Sequence, residues 1–226
     1  MNSTTIPVLP IPFIGEPLEP NYPSLFEQLK RLGVAVKIDK INWPDYSYAP
    51  LVKLFAGYTD AYLWLCYEVK DDFFRAVAVR DQEAVWEDCC VEFFVSVNKK
   101  KCRENLLQDE IVYRNFEFNI LGVLLSACGT KADRVFLEVE EMDRILRYPE
   151  FSGDKLPEEG CLCDWGLCVA IPLDLLGLQR GSRFEGNFQK CGDLTNAPHF
   201  LTWNNIISAE PDFHLPQFFG EMELVN

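Results

Sequence analysis

Trp86-Glu87-Asp88-Cys89-Cys90-Val91-Glu92 and Phe200-Leu201-Thr202-Trp203-Asn204 each set a tryptophan beside polar groups at or near the end of a strand-like run. An indole ring can cover the apolar C–H face of a sugar while nearby carboxylates and amides bond its hydroxyls. Trp86 and Trp203 are therefore candidate stacking plates, and ordinary core packing is the alternative for each. Asn204 supplies an amide next to the second plate. Glu92 is the candidate carboxylate. Its apolar neighbours mean that it needs a partner once buried, and Arg114 on a nearby strand is one. A structural ion pair is the competing account of Glu92. Glu117 and Asn119 share a strand face and form a weaker set, which an exposed polar face explains nearly as well.

These residues must be positioned by a chain of 226 residues, within the range of one large domain. Its 48% hydrophobic content is enough for a core and argues against disorder. With 35 acidic residues against 21 basic, the net charge of -14 repels phosphate backbones, so nucleic acid is not an expected partner. A neutral polysaccharide is compatible with that charge. No apolar run approaches the roughly 18–20 residues that span a bilayer. The N-terminus shows no basic region followed by an apolar one, so no signal peptide is read. The nine cysteines lie mostly in apolar runs, where the free thiol packs as a small hydrophobe. They are read as mainly reduced, which favours a reducing compartment such as the cytoplasm; a mature exported form would begin the same way. Cys161-x-Cys163 lacks zinc-knuckle spacing, and no metal ligands are assigned.

Five prolines before Pro23 predict an extended arm. Ser24 and Glu27 form a capping box that opens a short helix ending at Gly33. The expected division is residues 1–33 as arm and helix and 34–226 as one domain. From Val34 onward the pattern is β. Leu51–Tyr58 and Ala61–Lys70 read as a hairpin turning at Thr59-Asp60, and the second strand is apolar on both faces, which predicts a central position. In 91–97, Val91, Phe93 and Val95 alternate with Glu92 and Phe94; in 113–120, Arg114, Phe116 and Phe118 alternate with Tyr113, Asn115, Glu117 and Asn119. Residues 134–140 predict a half-exposed strand with Val135, Leu137 and Val139 inward. Lys99–Gln108 reads as a loop or short surface helix. Trp64 and Trp165 lie in apolar strands and are assigned to the core. No βαβ alternation appears, so the expected fold is all-β: an antiparallel β-sandwich, immunoglobulin-like or jelly-roll-like, with short peripheral helices.

In order along the chain come Glu68-Val69-Lys70-Asp71, Trp86-x-Asp88-x-x-Val91-Glu92-x-Phe94 and Tyr113-x-x-Phe116-Glu117-Phe118-Asn119-x-x-Gly122. Trp165-x₅-Ile171-Pro172, Gly186-Asn187-Phe188, His199-x-x-x-Trp203 and Asp212-Phe213-His214-x-Pro216-x-x-Phe219-Gly220 follow. This succession resembles the family 9 carbohydrate-binding modules. The resemblance implies a sandwich that binds an oligosaccharide or polysaccharide without catalysis, clamping one sugar unit between two tryptophans, by position Trp86 and Trp203. It also implies that Glu92 bonds sugar hydroxyls, with Arg114 and Asn119 matching more loosely. Structural calcium is a further implication; Asp71-Asp72 is the acidic pair available, and a solvated turn is its alternative. Two rival functions remain: a glycoside hydrolase using Glu92 and Glu117 as its carboxylate pair, and an interaction module whose sugar site has decayed. With two histidines and no Gly-x-Ser-x-Gly elbow, a serine hydrolase is not expected.

Overall fold

A computed structural model describes residues 8–16, 19–97, 111–151 and 162–226. The predicted segment 99–108 lies outside the described residues. In chain order the elements are β1 (Leu9–Pro12), α1 (Tyr22–Leu32), β2 (Val34–Lys37), β3 (Lys40–Ile41), β4 (Leu51–Tyr58) and β5 (Tyr62–Asp71). There follow β6 (Cys90–Ser96), β7 (Tyr113–Asn119), β8 (Leu124–Gly129), β9 (Arg134–Phe136), α2 (Val139–Met142) and β10 (Leu146–Pro149). β11 (Cys163–Pro172), α3 (Leu173–Leu176), β12 (Arg183–Cys191), β13 (Phe200–Thr202) and β14 (Gly220–Val225) complete the chain.

Two sheets form a β-sandwich. One runs β10-β11-β5-β4-β2. The other runs β1-β14-β12-β6-β7-β8-β9, with β13 and β3 attached beside β12. Every pair within these orders is antiparallel except β1 with β14. The prolines of β1 suit that edge position, where a missing amide proton costs no ladder bond.

The core lies where the alternation directs it. Leu63, Leu65, Tyr67 and Val69 of β5 meet Val91, Phe93 and Val95 of β6, Phe116 and Phe118 of β7 and Phe188 of β12. The other face of β5 is also apolar because α1 covers it: Leu25 and Leu29 pack there on Trp64, Cys66 and Cys168. β5 is indeed central, between β11 and β4. Trp64 and Trp165 are buried.

Four local expectations need correction. The helix starts at Tyr22, and its cap is Asn21, whose side chain accepts from the Ser24 amide at 3.1 Å. Ser24 is thus inside the first turn, where Pro23 already favours helical φ. The strand expected over 134–140 stops at Phe136 and gives way to α2, and only Leu137 of its three apolar residues is buried. The cysteines expected to be mainly reduced include one pair, Cys66 of β5 and Cys168 of β11, that face each other and form a disulfide, while Cys89, Cys90, Cys163 and Cys191 are free. Asp71 is not a solvated turn. It is buried, receives the Tyr48 hydroxyl at 2.8 Å, and pairs with the buried Lys190 at 3.3 Å. Lys190 supplies the positive charge that the calcium expectation required, so Asp71-Asp72 does not fit a calcium ion.

Candidate functional site

The face of the larger sheet turned away from the core carries a groove of about 500 Å³. That is a usual size for a small-ligand site. Its floor is Glu92 of β6, Asn115 and Glu117 of β7, Leu125 and Ala127 of β8, and Cys191 of β12. Register explains the set. Glu92 stands opposite Glu117 on β7 and opposite Gln189 on β12, so the three side chains project from the same face. Phe200 and Phe213 form one wall, and Arg134 with Phe136 forms another. Phe136 lies on β9, three strand spacings from Glu92, or roughly 14 Å.

Trp86 stands at the groove edge in a 3₁₀ turn, with 37% of its surface exposed. Asp88 fixes this turn by accepting from the Val77 and Ala78 amides at 2.9 Å each. The Trp86 carbonyl accepts from the Asp193 amide at 3.1 Å, tying the turn to the end of β12.

The floor is buried yet chemically incomplete. Among the described residues, Glu92 Oε2, Asn115 Oδ1 and both amide atoms of Gln189 are buried without a hydrogen-bond partner. Such atoms are costly unless a ligand or water completes them. Asn115 Nδ2 donates to Glu117 Oε1 at 3.0 Å. Burial pushes the Glu117 carboxyl up to about 7. Burial and the facing Glu117 hold Glu92 well above the usual carboxylate range. Burial and nearby Glu87 raise Asp193 to about 6. His214, lowered to about 3 by burial and by Arg134, is neutral and shares a hydrogen bond with the Tyr113 hydroxyl at 3.0 Å.

Of the six candidate residues, Trp86 and Glu92 meet in the groove and four do not. Arg114 is on the strand face opposite Glu117, is buried, and pairs with Glu141 at 3.4 Å. It therefore faces away from Glu92, and the partnership expected for it does not form. Asn119 is buried below Trp86, donating to Ala78 O and Asp88 Oδ2 and accepting from the Leu121 and Val123 amides. Every polar atom of its side chain is used inside the fold. Trp203 lies on the other side of the sheet from Glu92, with its ring 5.7 Å from that of Phe188 and against Gly220. Asn204 donates to Phe218 O and anchors its backbone to Asn187. The two tryptophans do not face each other across one slot. Residues not singled out in the sequence complete the groove instead: Asn115, Asp193, Arg134, Phe136, Phe200 and Phe213. The alternation already placed Asn115 on the face of Glu117; no local signal marked the others.

A sandwich with a shallow groove on one sheet, an aromatic at its edge and unsatisfied polar groups beneath, has the form of a ligand-binding β-sandwich. The chain belongs to carbohydrate-binding family 9, whose family model matches residues 22–224. It is similar to a solved structure from Bacteroides uniformis ATCC 8492, proposed to be a carbohydrate-binding protein, with 32% identity, a TM-score of 0.84, and coverage of 97% of this chain and 100% of that one. It also shares its fold with a family 9 module from Caldicellulosiruptor kristjanssonii in complex with glucose, at 11% identity and TM-score 0.60, covering 96% of this chain and 95% of that one. The same is true of the family 9 module from that organism in complex with cellotriose, at 12% identity and TM-score 0.58, covering 97% and 94%. No curated protein matches the chain. No helix among the described residues is long and apolar enough to cross a membrane.

Proposed function

We propose that this protein binds a sugar unit of an oligosaccharide or polysaccharide in the groove, without transforming it. Trp86 provides the apolar plate at the edge, and Glu92, Asn115 and Glu117 bond hydroxyls from the floor. The observation that carries this proposal is the coincidence of an exposed indole with buried, unpartnered Glu92 Oε2 and Asn115 Oδ1 in one groove. Family membership supports it, as do the glucose and cellotriose complexes of the relatives that share the fold. One indole replaces the expected clamp of two. The distance across the floor to Phe136 suits a ligand lying along the sheet better than a single ring gripped between plates. One stacking contact and a few hydroxyl bonds correspond to a dissociation constant on the order of micromolar to millimolar.

The Glu92–Glu117 pair bears on the hydrolase alternative. The two carboxyls stand side by side on the floor, so both approach a bound ligand from below. Glycosidase carboxyls flank the scissile bond, separated by about 5–5.5 Å or 6.5–9.5 Å. Their raised proton affinities also leave no ready carboxylate nucleophile at mildly acidic pH.

The test is a glycan array followed by calorimetry on the wild type, Trp86→Ala and Trp203→Ala. Binding weakened about fivefold or more in Trp86→Ala and kept in folded Trp203→Ala is the expected result. Absence of any retained glycan, or equal affinity of wild type and Trp86→Ala, would overturn the assignment.

A further inference from the structure

We propose that Cys90, Cys191 and Glu92 form a zinc site beneath the groove, with two thiolates and one carboxylate as ligands and a fourth position open to the groove. Cys90 ends up opposite Cys191 through the β6–β12 register. Their sulfurs lie 3.9 and 3.1 Å from the same oxygen, Glu92 Oε1, and the three ligand atoms are all within 4.8 Å of one another. In a tetrahedral site, bonds of about 2.3 Å to sulfur and about 2.1 Å to oxygen separate S and O by about 3.6 Å. The two observed separations bracket that value, so closure on an ion needs only small side-chain rotations.

A second observation points to a missing ligand. The Cys90 and Cys191 thiols and the Glu92 carboxyl are all buried, and among the described residues no cationic side chain hydrogen-bonds or ion-pairs with any of them. Lys190, the neighbouring cation in sequence, projects from the opposite face of β12 and pairs with Asp71 at 3.3 Å. Three acidic groups buried side by side bring ionisable protons to one place. A divalent cation can replace those protons and neutralise the cluster.

The donor set selects the metal class. Paired thiolates favour zinc over magnesium, calcium or manganese, which prefer all-oxygen shells. Three protein ligands leave one position, as in exchangeable rather than purely structural zinc sites. Cys191 and Glu92 line the groove, so that position opens on its floor, where a water or a ligand oxygen can fill it. The site escapes a sequence search because Glu92 and Cys191 are 99 residues apart and no short Cys-x-x-Cys spacing marks it.

The experiment uses the full chain, reduced with a non-chelating phosphine, loaded with Zn²⁺ and dialysed against metal-free buffer, without sugar. The expected results are a single retained zinc per chain and, with Co²⁺, the visible bands of a tetrahedral thiolate complex. Cys90→Ser/Cys191→Ser loses both; Cys89→Ser/Cys163→Ser, which alters free thiols outside the groove, keeps them. In the wild type, zinc shields Cys90 and Cys191 from alkylation mapped by mass spectrometry, an outcome independent of whether the serine variant folds. No zinc retained by the wild type, or shielding of other cysteines in their place, overturns the proposal. Sugar binding is scored separately through Trp86→Ala, so either proposal can fail alone.

Discussion

Replacing Glu117 by glutamine removes a buried acid while keeping its shape. The ordinary value for its carboxyl is 4.5, and burial raises it to about 7 in the folded protein. Roughly 2.5 pH units at about 1.4 kcal/mol each amount to about 3 kcal/mol. Because the folded value is the higher one, the stability associated with the protonated group is complete below about pH 4.5. It is lost progressively as pH rises to about 7 and is constant above that. Glu117→Gln carries no such titration, and its amide oxygen can still accept from Asn115. Urea unfolding from pH 4 to pH 8.5 should therefore show variant and wild type nearly equal at the acid end. At the alkaline end the variant should be more stable by up to about 3 kcal/mol, or several degrees in Tm for a chain of this size. Asp193, His199 and His214 also titrate differently on folding, but they are common to both proteins and largely cancel in the difference. Relief of Glu92, whose proton affinity Glu117 raises, acts in the same direction. Parallel stability curves across the range would refute the claim that Glu117 is a buried, proton-holding group.

Trp86→Ala should weaken sugar binding by about fivefold or more, since one stacking contact is worth about 1 kcal/mol beyond its area; titration calorimetry reads this directly. Lys190→Met should destabilise the fold by about 3–5 kcal/mol by leaving buried Asp71 without its cation, and Lys190→Met/Asp71→Asn should recover much of the loss in chemical denaturation. Asn119→Ala should cost about 2–3 kcal/mol in stability, because it removes one bond to the buried Asp88 carboxylate and takes the side-chain partner from the Ala78 carbonyl and from two turn amides. The same change should lower sugar affinity without touching the groove, since Asp88 holds the turn of Trp86; wild-type affinity in folded Asn119→Ala would refute that link.

What the sequence determined by itself was the two-sided character of each strand. A period of two sorts Val91, Phe93 and Val95 from Glu92 and Phe94, and Arg114, Phe116 and Phe118 from Asn115 and Glu117, before any pairing is known. Hydrophobic burial then requires the first set of each to face the core, so the groove face and its carboxylates were legible, and Arg114 belonged to the other face on the same count. The apolar second face of β5 likewise implied a covering element, which is α1. What only the tertiary structure decided was which faces meet. A shift of one residue in register would exchange every side chain between core and groove, and nothing local sets the pairing of Thr202 with Gln189 that turns Trp203 onto Phe188. Asn119 and Asn204 show the same dependence: an amide reads alike whether its partners are sugar hydroxyls or groups of the fold itself. The groove walls, Phe136, Phe200 and Phe213, come from separate parts of the chain. The meeting of Cys90, Glu92 and Cys191 likewise arises from long-range strand pairing, and long-range pairing is a property of the whole packed chain rather than of any segment.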